Sequence, residues 1–517
     1  MILATHTSRV SSFLPTIATA SRTANRAAHR SIYQKTVFNS VEGAQTAKLH
    51  DEAKEPQEEP VPSEPMPPRL MRKGTDLEAT SGTLNQIAAS LDLYSSHLTS
   101  RKFPTTSLQR IQTLNTSRKS LQGSRDENLG AAKKLSGEIG KIMKSGGDAS
   151  AVEEIKAKVE AAKGTAEKFS SELGEVEAEL SELISALPNL LDDSVPTGPD
   201  ESQNEVISTW GSPSSLPAKL NWSPTFTPKW HDDVALSLSG WLSPSAVKMS
   251  GSRFASLSSS CASLERALSN FFLDELSKSG YTEVSVPSIV GSPALTNTGQ
   301  LPKFEEDLFK IHDFECNGDA AYLIPTAEVP ITNLHSSETF KSEDLPKRYA
   351  GLTDCYRKEA GSYGRDSRGL IRLHQFKKVE MVTICHPDSG EDEHQKMVNT
   401  AEGLLQKLEI PYRKVLLCSG DTGFSAQKCY DLEAYLPSTD SYREISSISS
   451  TGDFQSQRAG IKFKEGKKKG FCYTLNGSGL AVGRALVAVL ENYQMEDGRV
   501  KVPEVLKGYM GGKEYLE

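Results

Sequence analysis

Cys355–Met381 reads CYRKEAGSYGRDSRGLIRLHQFKKVEM, and more than any other stretch it decides the fold. Two strand-like ends flank a loop holding Gly361, Gly364, Arg365, Arg368 and Gly369, the composition of a hairpin. Arg357 and Glu359 stand two apart, so a strand sends both side chains to one face. The second strand is expected to hold Arg372, His374 and Glu380. An arginine opposite a glycine-rich loop suits phosphate, because its planar fork gives bidentate hydrogen bonds and a permanent charge. Carboxylates on the same floor can accept an amine. A solvated salt-bridge ladder would use the same residue types.

Polar residues crowd two other strand-like regions. In YLIPTAEVPITNLH (Tyr322–His335), Thr326 and Glu328 share a strand face between Pro325 and Pro330; a half-exposed strand edge is the plainer alternative. In SYREISSISSTGDFQSQR (Ser441–Arg458), Glu444 and Ser447 fall near a strand end. TLNGSGLAVGRALVAVLENYQ (Thr474–Gln494) predicts a turn at NGSG leading into a helix with Leu480, Val482, Leu486, Val487 and Leu490 on its apolar side. Arg484 interrupts that helix and needs an anion, either a carboxylate or a triphosphate. Upstream, GYTEVSVPSIVG (Gly280–Gly291) predicts a strand ending at Pro287, after an amphipathic helix that closes at Gly280. From Trp210 onward the texture is mixed α and β.

Ahead of this half lies a different pattern. Val152, Ile155, Val159, Ala162, Ala166, Phe169, Leu173, Val176, Leu180, Leu183 and Leu187 recur at spacings of three and four, the stripe of a coiled coil that Pro188 ends. Ile111, Leu114, Arg118, Leu121, Arg125, Asn128, Ala132, Leu135, Ile139 and Ile142 keep the same rhythm upstream. KSGGDAS (Lys144–Ser150) between them forces an antiparallel return, so two helices of about 37 residues should project roughly 55 Å. Residues 107–144 carry eight Lys/Arg against three acids, and residues 150–187 four Lys against nine Glu. Helices of opposite charge attract each other; the basic one also suits a phosphate backbone.

The composition of all 517 residues narrows the class further. A net charge of -8 excludes a uniformly basic nucleic-acid coat, and no run of about 18 apolar residues offers a membrane-spanning helix. The seven cysteines form no C-x-x-C pair, which argues against a zinc ribbon or a disulfide framework and fits a reducing compartment. Residues 1–41 contain no acid but carry Arg9, Arg22, Arg26, Arg30 and Lys35 among Ser, Thr and Ala, the composition of a mitochondrial or plastid transit peptide or of a plain cationic tail. DEAKEPQEEPVPSEPMPPR (Asp51–Arg69) reads as an extended linker. The expected division is a mitochondrial transit peptide at 1–41, a disordered Pro/Glu-rich linker at 42–90, a helical arm at 91–205 and an α+β domain at 206–517.

These residues resemble a known family. Cys355–Met381 resembles motif 2 of the class II aminoacyl-tRNA synthetases, GLAVGR (Gly479–Arg484) resembles their motif 3, and Pro287 sits where motif 1 places its proline. TAE, RDSRGLIRLHQFKKVE, YDLEAYLP, YREISS and NGSGLAVGRALVAVLENYQ are similar to the seryl-tRNA synthetases in particular, as is a long helical hairpin ahead of the catalytic part. The resemblance runs from about Leu91 to Leu516. Ile448, Ser450, Thr451 and Gly452 depart from it, standing where the family commonly has a Cys-Ser-Asn run.

The resemblance implies a class II catalytic domain, an antiparallel sheet flanked by helices, behind an antiparallel two-helix coiled-coil arm that binds tRNA(Ser). It implies formation of seryl-adenylate from L-serine and ATP with Mg2+, then transfer of serine to the terminal adenosine of the tRNA. Arg357 would hold the α-phosphate, Arg484 the γ-phosphate and Glu359 the adenine amino group, with Lys358 beside them. Glu444 would bind magnesium through ATP, with Ile445, Ser446 and Ser447 alongside. Thr326, Ala327, Glu328, Glu380, Asn476 and Ser478 would form the serine pocket. A homodimer, the mitochondrial matrix and no zinc site complete the expectation. A catalytically retired relative kept as an interaction protein, or a ligase charging a carrier protein, would share parts of this pattern; the first usually loses the phosphate arginines and the second the long arm.

Overall fold

The computed structural model describes residues 84, 87–146, 148–360 and 368–517. The expected transit peptide lies outside the described residues, as does nearly all of the linker. The linker's end is an exception: Leu84 and Ile87 are buried in one cluster with Tyr94, Leu98, Leu108, Ile111, Leu180 and Leu187, so the packed structure begins before residue 91.

Helix α1 (Leu91–Ser100) leads to the arm, built from α2 (Thr106–Lys144, 39 residues) and α3 (Ala149–Ser185, 37 residues). Asp148 caps α3 by accepting the Ser150 N–H at 3.0 Å. Val152, Val159, Ala166, Leu173 and Leu180 are buried at strict seven-residue intervals, while Ile155, Ala162, Phe169, Val176 and Leu183 are half-buried. A seam with one fully dry row is what two helices without a third partner can provide. Among the described residues one ion pair bridges the hairpin, a bidentate contact from Arg110 to Glu179 at 2.6 Å on both arms of the fork. Arg118 and Arg125 on the expected seam are half-buried and lean on neighbours of their own helix, Asn115 and Asp126.

The second half is built on an eight-stranded sheet. Its strands are β1 (Glu205–Trp210), β2 (Thr282–Glu283), β3 (Lys347–Tyr356), β4 (Gln375–Cys385), β5 (Tyr412–Leu416), β6 (Lys428–Leu436), β7 (Ser441–Gly452) and β8 (Tyr473–Ala481). They lie in the order β1-β5-β6-β7-β8-β4-β3-β2, antiparallel throughout except for the parallel pair of β2 with β3. Helices α4 (Ser259–Lys278), α5 (Gly390–Lys407) and α6 (Val482–Asn492) share one apolar core with the sheet, to which α4 contributes Leu264, Leu268, Phe272 and Leu276. Gly280, at φ +89, follows the end of α4 where the sequence predicts its stop.

Four local expectations need correction. Thr326 and Glu328 are not on a strand: that strand ends at Leu323, and Glu328–Asn333 is a short helix whose first turn accommodates Pro330. β3 ends at Tyr356 and β4 begins at Gln375, so Arg357, Glu359, Arg372 and His374 lie just beyond the regular hairpin; Glu359 has a left-handed φ of +53, which breaks the strand alternation. NGSG is not a turn but the middle of β8, between β7 and β4. The glycines allow close packing there, since a Cβ on Gly477 would come within 2.9 Å of Ile448. Finally, Gly280–Gly291 forms a two-residue strand and a separate one, Ile289–Gly291, rather than one strand ending at Pro287.

Candidate active site

Alternation along β4 sends Phe376, Lys378 and Glu380 to one side of the sheet, while Val379 and Met381 join the core on the other. On β7 a bulge leaves Ile445 without a partner between the Ser446–Leu432 and Glu444–Glu433 pairs, and this re-aims Glu444. The outcome is a cavity of about 710 Å³ above strands β4, β7 and β8. The expected residues on its lining come from five separate segments. Arg357, Glu359, Thr326, Glu328, Glu380, Glu444, Ile445, Ser447, Asn476, Ser478 and Arg484 all line it.

One end of the cavity is rich in guanidinium groups. The Arg484 side chain is 28% exposed; its Nη1 donates to the Glu444 main-chain carbonyl at 2.7 Å and lies 3.3 Å from the Glu444 carboxylate. A carboxylate is thus one anion that this helix arginine meets. Arg484 Nε also donates to the Ile371 carbonyl at 3.4 Å. The charge of Arg484 holds the Glu444 carboxyl below its ordinary range, while burial and the Glu444 charge raise Asp431 well above its own. Arg357 Nε donates to the Pro325 carbonyl at 3.2 Å, and its guanidinium lies 5.2 Å from the centre of the Phe376 ring. Glu359 accepts from Arg372 at 2.6 Å.

The other end is dry. Glu328 is 6% exposed and Glu380 1% exposed, and Lys378 Nζ lies 2.6 Å from Glu380. Lys378 also donates to the Thr326 hydroxyl at 2.9 Å, and that oxygen accepts the Glu328 N–H at 3.2 Å. Gln455 Nε2 donates to Glu328 at 2.6 Å. Burial, reinforced by the Glu380 charge, lifts the Glu328 carboxyl to about 7, against the pull of Gln455 and Lys378. The Asn476 amide donates to Glu380 at 3.4 Å, and Ser478 pairs with Glu380 across the β8–β4 ladder. Two buried acids with a hydroxyl beside them can hold a small ammonium-bearing molecule.

Three of the expected residues stay outside the cavity. Ala327 is fully buried in an apolar cluster with Ile331 and Val382. Lys358 is exposed, with its N–H on the Asp307 carbonyl at 2.8 Å. Ser446 is buried and donates to the Ser478 carbonyl at 2.6 Å, so it braces β8 from behind. Sequence reasoning overlooked Gln455 and Lys378. Lys378 stands two residues before Glu380 on the quoted strand, and that alternation could have flagged it; Gln455 carries no such signal.

Comparison with known proteins agrees with this geometry. Residues 309–493 match the family described as tRNA synthetase class II core domain (G, H, P, S and T), and residues 83–191 match the seryl-tRNA synthetase N-terminal domain. The chain is 48% identical over 410 residues to a serine–tRNA ligase of Nitratidesulfovibrio vulgaris (strain Hildenborough), covering 78% of this chain and 92% of that protein. It is 45% identical over 422 residues to one of Picosynechococcus sp., covering 81% and 96%. Among solved structures, seryl-tRNA synthetase from Pyrococcus horikoshii complexed with ATP superposes with a TM-score of 0.75 at 33% identity, over 84% of this chain and 98% of that one. The cytoplasmic serine–tRNA ligase of Naegleria fowleri in complex with AMP gives 0.73 at 27% identity, over 82% and 96%. With a helical arm, a class II sheet and a cavity that pairs arginines with buried acids, the chain belongs to the seryl-tRNA synthetases of class II.

Proposed function

We propose that this chain activates L-serine with ATP, releasing pyrophosphate, and passes the serine to the 3′-terminal adenosine of tRNA(Ser) in the mitochondrial matrix. The observation that carries the reading is that one cavity is lined both by Arg357 and Arg484 and by the buried acids Glu328 and Glu380. Arg357 faces the α-phosphate, where charge develops as the serine carboxylate attacks, and Arg484 holds the γ-phosphate. Glu359, steadied by Arg372, receives the adenine amino group. Glu328 and Glu380 take the serine ammonium, and Asn476 and Ser478 read its hydroxyl. Adenylation of this kind needs positioning and phosphate electrostatics rather than a general base.

Magnesium fits the phosphate end. The Glu444 carboxylate and the Ser447 hydroxyl both line the cavity there, and they are hard oxygen donors of the kind this ion prefers. Bound there with the phosphates, the ion would neutralise their charge. The net +5 of residues 107–144 supports a salt-sensitive contact with the tRNA backbone. A homodimer built around the Pro287 segment follows the class II pattern. The acid-free, arginine-spaced residues 1–41 support import into mitochondria; diffuse cytosolic fluorescence from a fusion carrying only those residues would refute that address.

The retired-relative reading loses support because Arg357, Arg484, Glu328 and Glu380 are all present and line one cavity. The carrier-protein reading loses support from the 39-residue and 37-residue helices of the arm. Pyrophosphate exchange into ATP by the full chain tests the activation step. Exchange that requires serine and is absent with glycine is expected. A folded chain without serine-dependent exchange would sink the proposal.

A further inference from the structure

Arg101 lies at the foot of the arm, directly after α1, and is only 5% exposed. Among the described residues no carboxylate lies within ion-pair distance of it. Its guanidinium donates to main-chain carbonyls instead: Nη1 to Asn189 at 2.8 Å and Ala426 at 3.2 Å, Nη2 to Thr422 at 3.0 Å and Gly423 at 2.6 Å. Among the described residues its Nε finds no acceptor. Burying a cation among carbonyl dipoles alone is costly, so a side chain kept there is doing something a packed aliphatic residue could not. What it does is bring together chain segments more than 300 residues apart in sequence.

The gripped loop, 422–427, is also a wall of the cavity, through Gly423, Phe424 and Ser425. The exit of the arm grips the same loop. The Asn189 N–H donates to the Phe424 carbonyl at 2.9 Å, and its side-chain amide donates to the Ser425 carbonyl at 2.9 Å and the Thr451 carbonyl at 2.7 Å. The Phe424 ring packs 6.1 Å from Phe103 of the arm and 5.8 Å from Phe454. Phe454 is the neighbour of Gln455, whose amide holds Glu328. A continuous run of packed groups therefore leads from both ends of the arm to the buried-acid end of the cavity. Arg101 itself bonds to none of the groups at the phosphate end: Glu444 is on β7, Arg484 on α6, and Arg357 continues from β3.

We infer that Arg101 is a positioning residue for serine: through the 422–427 loop, Phe424 and Phe454 it sets the Gln455–Glu328 contact while leaving the ATP-facing groups unaffected. The inference rests on the serine-activating reading given above.

Arg101→Lys keeps the charge but cannot span the five carbonyls that the guanidinium reaches, Phe424 at 3.5 Å included. In the full chain, pyrophosphate exchange with serine and ATP varied separately should show the serine KM raised about tenfold and the ATP KM changed less than about twofold, with the melting temperature retained. A purely structural clamp would lower kcat or the melting temperature and leave the serine KM as it was; that result overturns the inference. Asn189→Ala, which releases the Ser425 and Thr451 carbonyls, is read by the same split should Arg101→Lys fail to fold. Absence of serine-dependent exchange in the wild-type chain is a different failure: it overturns the underlying reading and this inference with it.

Discussion

The two ends of the cavity handle charge in opposite ways. At the phosphate end the Arg484 and Glu444 side chains are 28% and 47% exposed, and their pairing pushes Glu444 further towards its charged form. At the other end Glu328 and Glu380 are sealed from solvent, and burial pushes Glu328 towards its neutral form. The difference suits the molecules proposed for each end. A triphosphate brings several charges of its own and needs exposed, always-charged forks that can leave one partner for another. A small zwitterion is better selected in a dry pocket, where an unmatched charge or hydroxyl is expensive.

Three experiments can break or sharpen this contrast. The largest effect is expected from Arg357→Ala, which should lower serine-dependent exchange by about 10²–10³-fold through kcat, because the lost charge faces the developing transition state. A loss confined to serine KM would place Arg357 at the wrong end. Glu328→Gln comes next: the serine KM should rise about 10–100-fold, the worth of one charge-assisted hydrogen bond, with the ATP KM nearly constant. Equal changes in both constants would erase the division of the cavity.

The smallest effect needs no mutation. Glu328 stands at about 7, so below that pH its carboxyl is protonated and has no charge to offer an ammonium group. The serine KM should therefore fall about tenfold between pH 6 and pH 8 and then level off. Glu444, held low by Arg484, stays ionised across this window, so the ATP KM should be flat. A serine KM independent of pH would mean that Glu328 is already charged at pH 6.

Much of this site is legible in the sequence because its residue types are unusual where they stand. Arg357, Arg484, Glu380 and Glu444 are charged groups inside otherwise strand-like or apolar stretches, and such groups demand partners. What misled was local shape. Thr326-Ala327-Glu328 between two prolines looks like an edge strand, yet all three residues are buried and Glu328 opens a helix. Asn476–Gly479 looks like a turn, yet in the centre of the sheet the same glycines allow close strand packing. Local preference is a small term, and tertiary packing overrides it.

The sequence by itself determined the helical arm, because an apolar stripe at spacings of three and four residues is a repeat that any stretch of chain carries within itself. It also determined which side chains would need anions or amines. Only the tertiary structure decided who meets whom: Gln455 with Glu328 across 127 positions, Lys378 with Thr326 across 52, and Arg101 with the 422–427 loop across more than 320. The reason is physical. Helical periodicity is set by bonds four residues apart, whereas burial, and with it the charge state of Glu328, depends on which distant segments close over it.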